Sequence, residues 1–456
     1  MPARTETQVP PRTPGRGPAL GAALLLAVHA PFLEAQESPP WTPLNRGSEN
    51  IEVLGHLPLG PDENIADVDL EQELDRPYAY VARGAYLGGP IGTAIVDISD
   101  PEHPRKITDW RIENEELHVG GARDVKYFKW DERYYVVQSL QFRQGGPDSD
   151  LGAVVLDVTD LPNPDAVREV ARIREPDHPG GFHNIFVYKH SDGRVYLFAT
   201  VTGPFAHVYD LGLLVEEGPE AALAGRVPVP VADSNRSGYH DFYVAYHPDT
   251  DEDRFYGGGT GGYYIYDVTD LTAPELRITL TGISGITRGH TFTPSPDGRY
   301  VIAESEYQYA PLRIFDLQPA LDGEQSNIRR PISGWTAHWE HLVHNHEVRW
   351  PYVFVSGYMD GLQVVNLQDP HQPVTVGYYD TYLGPLNEGN PGVMRGAFGV
   401  DVRNEDGLIV VSDLTTGLWT FRMDGFQGWN GETWGMPDIS SVQKWDRPVT
   451  ARPISD

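Results

Sequence analysis

The sequence contains no cysteine, and beyond its first 35 residues it has no long apolar run. Without cysteine there is no disulfide framework and no thiol nucleophile. No segment after 19–33 approaches the ~18 apolar residues of a membrane helix, so no transmembrane segment is expected in the mature protein. The chain also lacks a Gly-x-Ser-x-Gly elbow, a phosphate-binding loop and a His-Glu-x-x-His pair.

Positive charge is scarce as well. The chain has 35 Lys and Arg against 65 Asp and Glu, a net charge of −30. Such a surface repels the phosphate backbone of nucleic acids and anionic membranes. The charge therefore excludes a nucleic-acid partner and leaves a small ligand, a glycan or a secreted protein as candidates.

The first 35 residues have the pattern of an export signal. Arg4, Arg12 and Arg16 precede the apolar run ALGAALLLAVHAPFL (19–33), and the small residue Ala35 follows it. This order predicts a cleaved signal peptide over 1–35, followed by an aperiodic linker over 36–50. The mature protein is therefore expected to be secreted or periplasmic, with cell-surface association as an extension of that prediction.

The remaining chain, rich in glycine and proline, repeats a unit of four short strands. The unit at 344–380 is typical, with Val- and Tyr-rich runs separated by Gly, Pro and Asp. Equivalent first-strand positions recur every 50–60 residues. They are Ala66, Arg123, His183, His240, His290, His344 and Phe398. Seven such units predict an all-β fold, a seven-bladed β-propeller with four strands per blade.

The two ends of the repeat region complement each other. The seventh unit has only three strands, whereas 51–57 reads as a strand with no unit of its own. The N-terminal strand is therefore predicted to complete the last blade, which would leave no open sheet edge. The propeller would span 51–425, and the tryptophan-containing tail 426–456 would pack on it.

The third strands carry a family resemblance. Four of them read GTAIVDISDPEHP (92–104), GAVVLDVTDLPNP (152–164), GYYIYDVTDLTAP (262–274) and GLQVVNLQDPHQP (361–373). This pattern resembles the LVIVD repeat, an apolar strand that ends in Asp before a turn containing Asp and Pro. The resemblance implies a secreted propeller and little about activity. Units 3, 5 and 7 depart from the motif because they lose the Asp-Pro turn.

The recurrent aspartates of these third strands have a structural interpretation. They are Asp97, Asp157, Asp210, Asp267 and Asp316. Asp at such a turn accepts backbone N–H groups two residues later. A calcium site is the alternative, but the spacing lacks the glycine and distal glutamate of a helix-loop-helix calcium loop. We therefore predict Asx turns.

The histidines at the repeat position suggest a metal. His183, His240, His290 and His344 start four successive first strands, and His346 follows two residues after His344. First strands line the channel of a propeller, so these side chains would converge on the axis. Imidazoles suit Fe, Cu or Zn. The arrangement is similar in kind to the four axial histidines of the carotenoid-cleaving oxygenases; repeated structural histidines are the alternative interpretation.

Three further residues are candidates for a site at the channel mouth. Arg123 and Arg288 could bind an anionic ligand or pair with turn aspartates. Glu304 is a candidate acid/base group, although a solvated strand end would also explain it. Three functions remain open: a ligand-binding propeller, a metalloenzyme with an axial metal, and a structural cell-surface protein. Whether the chain is an enzyme stays undecided at this stage.

Overall fold

The computed structural model describes residues 46–60, 64–84, 89–118, 120–142, 148–230, 238–247, 249–382, 384, 394–429 and 445–446. The predicted signal peptide, most of the linker and most of the C-terminal tail lie outside the described residues. No helix in the described ranges is long and apolar enough to cross a membrane.

Seven four-stranded antiparallel sheets follow one another along the chain and form the blades of a β-propeller, as predicted. Within each blade the first strand is innermost. Blade 1 contains Ile65–Leu70, Tyr78–Arg83, Gly92–Asp97 and Arg105–Arg111. Blade 2 contains Val125–Trp130, Arg133–Ser139, Leu151–Asp157 and Arg168–Arg174. Blade 3 contains Ile185–Lys189, Val195–Thr200, Phe205–Asp210 and Leu223–Pro228.

The other four blades continue the same order. Blade 4 contains Tyr239–His247, Glu252–Gly259, Gly262–Asp267 and Glu275–Thr281. Blade 5 contains Phe292–Pro294, Tyr300–Ala303, Leu312–Asp316 and Ser333–Trp335. Blade 6 contains His346–Arg349, Tyr352–Ser356, Leu362–Asn366 and Val374–Tyr379. Blade 7 contains Ala397–Val402, Ile409–Asp413, Gly417–Met423 and, as its outermost strand, Ile51–Leu57.

The N-terminal strand therefore closes the ring as the sequence predicts. Ile51–Leu57 pairs antiparallel with Gly417–Met423, with Ile51 opposite Met423 and Leu57 opposite Leu418. The inner strand of each blade contacts that of the next, and the inner strand of blade 7 contacts that of blade 1. Because the apolar side chains between blades are buried, the core runs around the ring as a series of inter-blade layers.

Few elements depart from the repeat. Leu211–Glu216 forms a short α-helix in the predicted insertion of blade 3, and Gln318–Leu321 forms a second in blade 5. Short 3-10 turns span Glu115–Leu117, Pro164–Ala166 and Pro219–Ala221. A two-stranded ribbon, Gly120–Gly121 with Gln141–Phe142, lies beside the channel end of blade 2. The sequence analysis did not predict this ribbon.

The repeated aspartates form the turns predicted for them. Asp97 Oδ1 accepts the Ser99 N–H at 2.9 Å, and Asp267 Oδ1 accepts the Thr269 N–H at 2.9 Å. In blade 3, where the Asp-Pro turn is missing, Asp210 instead accepts the Leu213 N–H at 2.9 Å and caps the short helix. These carboxylates therefore hold the connection between the third and fourth strands.

Candidate functional site

Four histidines from successive blades lie side by side at one end of the central channel. Ring centroids are 4.8 Å apart for His183 and His240, 4.3 Å for His240 and His290, and 5.0 Å for His290 and His344. We refer to these four residues as the His cluster. The structure thus brings together the four histidines that share one repeat position.

Oxygen acceptors fix the orientation of two of these rings. Nδ1 of His344 lies 2.7 Å from the backbone carbonyl of Phe398, and Nδ1 of His183 lies 3.0 Å from Oε1 of Gln141. A carbonyl oxygen only accepts, so Nδ1 donates the proton in both cases. Each ring therefore presents Nε2 as its unprotonated nitrogen.

His290 has the same arrangement with a stronger partner. Its Nδ1 lies 2.8 Å from the Thr291 hydroxyl, which in turn donates to Asp241 Oδ2 at 2.9 Å. Nδ1 also lies 2.7 Å from Glu304 Oε2 as a charge pair. Because the hydroxyl donates to Asp241, it accepts from His290. Nε2 of His290 is buried and has no hydrogen-bond partner among the described residues.

Glu304 is fully buried, which excludes the solvated strand end considered for it. Its backbone carbonyl accepts the Tyr263 hydroxyl at 2.6 Å, while its carboxylate faces His290. Glu306, two residues on, lies at the edge of the cluster. Tyr358 donates to Glu306 Oε1 at 2.5 Å, which leaves Oε2 3.8 Å from Nε2 of His290.

Electrostatics keep three of the rings neutral. Burial lowers the pKa of His183 and His240 well below the usual value, and the neighbouring charges of Arg123 and His290 lower it further. Burial and His290 likewise lower the pKa of His344 to about 4. Neutral imidazole is the form that coordinates a metal.

His290 and Glu304 behave as a buried charge pair. Burial alone would lower the pKa of His290, but the carboxylate of Glu304 outweighs burial and raises it to about 9. For Glu304 burial is the larger effect and raises its pKa to about 7, although the imidazolium of His290 opposes that rise. At neutral pH His290 is therefore an imidazolium with a proton on each nitrogen, and a metal ion bound at Nε2 would displace one of these protons.

One set of ligand-type atoms converges within the described part of the chain. Atoms from His240, His290 and Glu306 all lie within 4.8 Å of one another. Nε2 of His240 also lies 3.0 Å from Nε2 of His183. His346, expected beside His344, instead lines a cavity deeper in the channel. Both ring nitrogens of His346 are buried without a hydrogen-bond partner among the described residues.

The two candidate arginines lie near the cluster. Arg123 is only 2% exposed, and its charge contributes to the low pKa of His183. Arg288 donates from Nη2 to the backbone carbonyl of Tyr239 at 3.3 Å. Both guanidinium groups thus contribute positive charge beside the histidines. Binding of an anionic ligand by either residue stays a prediction.

A glycine in blade 4 permits the position of His290. A Cβ on Gly258 would lie 1.7 Å from the backbone oxygen of His290. We expect Gly258→Ala to destabilise the fold by about 2–3 kcal/mol because the two backbones must separate. Thermal unfolding measures this effect, with Gly334→Ala as control, where a Cβ would come no closer than 3.3 Å to any atom. Equal melting temperatures for the two variants would contradict the expectation.

Sequence reasoning missed part of the surroundings. Gln141 orients His183 from the two-stranded ribbon, an element with no repeat counterpart. The residue that follows each equivalent first-strand position was also overlooked as a polar position. Those described residues are polar in six blades: Asp67, Asp124, Asn184, Asp241, Thr291 and Asn345. When the seven units are aligned, these polar residues recur one position after the histidines.

Comparison of the chain with family models and with curated proteins found no match. The structure therefore establishes the architecture, a seven-bladed β-propeller, on its own evidence.

Proposed function

We propose that this propeller binds a first-row transition metal, Fe, Cu or Zn, on its axis. The ligands are Nε2 of His240 and His290 and a carboxylate oxygen of Glu306, with Nε2 of His183 as the fourth. The observation that carries the proposal is the orientation of the rings. His183 and His290 engage Nδ1 with protein oxygens, so Nε2 is left for the channel.

This orientation is usual for a metal-bound histidine, whose other ring nitrogen donates to a protein oxygen. A ligating imidazole donates its other N–H to a carboxylate, a carbonyl or a similar acceptor, which fixes the tautomer and makes the ring a better ligand. The Thr291 hydroxyl takes that place for His290, with Glu304 Oε2 2.7 Å from the same nitrogen as a charge partner, and Gln141 takes it for His183. Buried carboxylates also accompany His190 and His341 outside the His cluster, so the support for a metal comes from the convergence of His240, His290 and Glu306 rather than from Glu304 alone.

Distances also fit a common ion. Two nitrogens bound to one metal at ~2.0–2.1 Å are separated by roughly 3 Å, and Nε2 of His183 and Nε2 of His240 are 3.0 Å apart. Two histidines and a carboxylate with open positions suit a catalytic Fe(II), and three histidines suit Zn or Cu. Glu306 is 12% exposed at its side chain, so a small molecule can approach from the channel mouth. Metal-assisted oxidation or hydrolysis of a small molecule is the activity that follows.

Glu304 provides the sharpest test of the contacts that orient His290 for metal binding. We expect Glu304→Gln to weaken metal binding about 10–100-fold, because the amide no longer stabilises a proton on Nδ1 of His290 as a carboxylate does. Competition with a chromophoric chelator measures the affinity. Glu102→Gln, in an exposed turn, is the control. Equal affinities for the two variants would reduce Glu304 to a buried structural group.

Ligand binding at the channel face is a second candidate function, favoured by an exposed aromatic pair. Tyr309 and Trp339 are 60% and 61% exposed, and their rings lie 5.0 Å apart. Gln308 joins their loops through a hydrogen bond to the carbonyl of Glu340 at 2.9 Å. Exposed paired aromatics are typical of ligand or glycan contacts. Loss of glycan-array binding in Trp339→Ala would support this role. If the unaltered protein binds no glycan on the array, the role is contradicted.

Two further proposals complete this account. The four strand motifs that end in Asp or Asn support membership of the LVIVD-repeat family, with Asn366 replacing Asp in blade 6 and accepting the Gln368 N–H at 2.7 Å. The N-terminal pattern supports export to the periplasm or medium. N-terminal sequencing of the protein from its native compartment tests export, and a mature start near Gln36 is the expected result.

A further inference from the structure

Below the His cluster the channel widens into a cavity of about 90 Å³. Four carboxylates on its wall belong to Asp67, Asp69, Asp124 and Asp241, and one ammonium group, that of Lys126, accompanies them. Glu347 and Asp401 also reach the wall but are neighbours of Arg349. Three buried acids and the half-buried Asp69 therefore face one half-buried base. We call this space the acidic cavity.

The carboxylates are short of positive charge. Lys126 Nζ lies 2.6 Å from Asp124 Oδ1 and 3.4 Å from Asp67 Oδ2, so it neutralises one side of the cavity. Burial raises the pKa of Asp67, and the charge of Asp241 adds to that rise. Burial likewise raises the pKa of Asp124 to about 7. Buried carboxylates without a cation either hold protons or bind one.

An unpartnered side chain in the wall points to a ligand rather than to protons alone. His346 is 3% exposed and lines the cavity, and both of its ring nitrogens lack a hydrogen-bond partner among the described residues. A neutral imidazole that lacks a donor costs free energy when buried. A ligand that supplies N–H groups would satisfy the accepting nitrogen of the ring together with the carboxylates.

The shape of the site favours an organic cation over a bare metal ion. Within the described ranges, only the group at the His cluster brings three ligand-type side chains within 4.8 Å of one another. The acids of the cavity are therefore spread more widely than a metal shell requires. Aromatic walls from Phe186, Tyr243 and Trp445 complete the lining. Carboxylates with aromatic faces are a common setting for ammonium groups.

We propose that the acidic cavity binds the ammonium group of a small primary amine, with Asp241 and Asp67 as acceptors and His346 as a third. Lys126 shows how an ammonium group fits between two of these acids. The side chain of Lys126 is 20% exposed, so this part of the channel is open to solvent. The proposal is argued from the acidic cavity alone, although Asp241 also accepts from the Thr291 hydroxyl that contacts His290.

Titration of the full chain with n-propylammonium chloride tests it, read by thermal unfolding and calorimetry. We expect saturable binding that raises the melting temperature, with no response to n-propanol, which lacks the charge, or to tetramethylammonium, which lacks N–H donors. Asp241→Asn should bind about tenfold more weakly, since one charge-assisted hydrogen bond is lost. Asp100→Asn, in an exposed turn, should bind like the unaltered protein.

Three outcomes would overturn the proposal: no saturable response, an unchanged affinity in Asp241→Asn, or a response to calcium chloride that exceeds the response to the amine. Asp67→Asn provides the second variant if Asp241→Asn does not fold. The titration is run on metal-stripped and on zinc-loaded protein. Amine binding in a protein that takes up no Fe, Cu or Zn would support the cavity while contradicting the metal site, so the two claims fail separately.

Discussion

Protein produced in metal-replete medium is expected to carry about one equivalent of Fe, Cu or Zn per chain, and His240→Ala and His290→Ala less than about a tenth of that content. The reason is that each variant removes one of the few nitrogens that face the channel. His240 and His290 are also the two histidines whose ligand atoms converge with Glu306. Inductively coupled plasma mass spectrometry of the purified proteins measures the content.

His103→Ala is the matched control for these variants. His103 is 78% exposed at its side chain and lies in an outer turn of blade 1. It should keep the full metal content, because its substitution leaves the channel unchanged. A metal-free unaltered protein, or full occupancy in both channel variants with melting temperatures like that of the control, would remove the proposed site.

Removal of residues 1–58 is expected to lower the melting temperature by about 10 °C or more. The truncation deletes Ile51–Leu57 and leaves Gly417–Met423 as an open edge. It also removes the apolar packing of the strand, Ile51 included. Burial of each fully buried apolar side chain contributes ~1.5–3 kcal/mol to stability. Loss of the ladder hydrogen bonds adds a net ~1 kcal/mol for each bond.

A chain that starts at Arg46 provides the control, because it keeps the closing strand. Differential scanning calorimetry of the two truncations separates the effect of the strand from that of the preceding residues. A peptide that covers 46–58, added in excess, should raise the melting temperature of the shorter chain by strand addition. Identical melting temperatures for the two truncations would show that closure contributes little to stability.

The fold could be predicted because a propeller repeats its signals seven times. Each blade restates the same order of four strands joined by turns, so an error in one unit is corrected by the others. Blade 5 shows the limit: its outer strand covers only the three residues Ser333–Trp335, which the repeat pattern does not indicate. The structure of an insertion that occurs in only one unit depends on its own local contacts, so the alignment of the units does not predict it.

The grouping of the four histidines followed from the repeat, whereas the hydrogen bonds that orient their rings did not. Strand alternation placed His344 and His346 on one face, yet the inner strand of blade 6 begins only at His346, so the rule does not extend to His344. Register shifts near the same level, between Tyr239 and Asp241 in blade 4, also change which side chains face the axis. Ring orientation and the burial of Glu304 arise from contacts between blades, which one sequence does not display.

The most direct test of the metal site is a crystal structure with anomalous data collected at the absorption edges of Fe, Cu and Zn. The account predicts one strong anomalous peak on the propeller axis, ~2.0–2.2 Å from Nε2 of His240 and of His290 and from a carboxylate oxygen of Glu306. Direct hydrogen bonding between Nε2 of His183 and Nε2 of His240, with no anomalous peak after metal soaking, would contradict it.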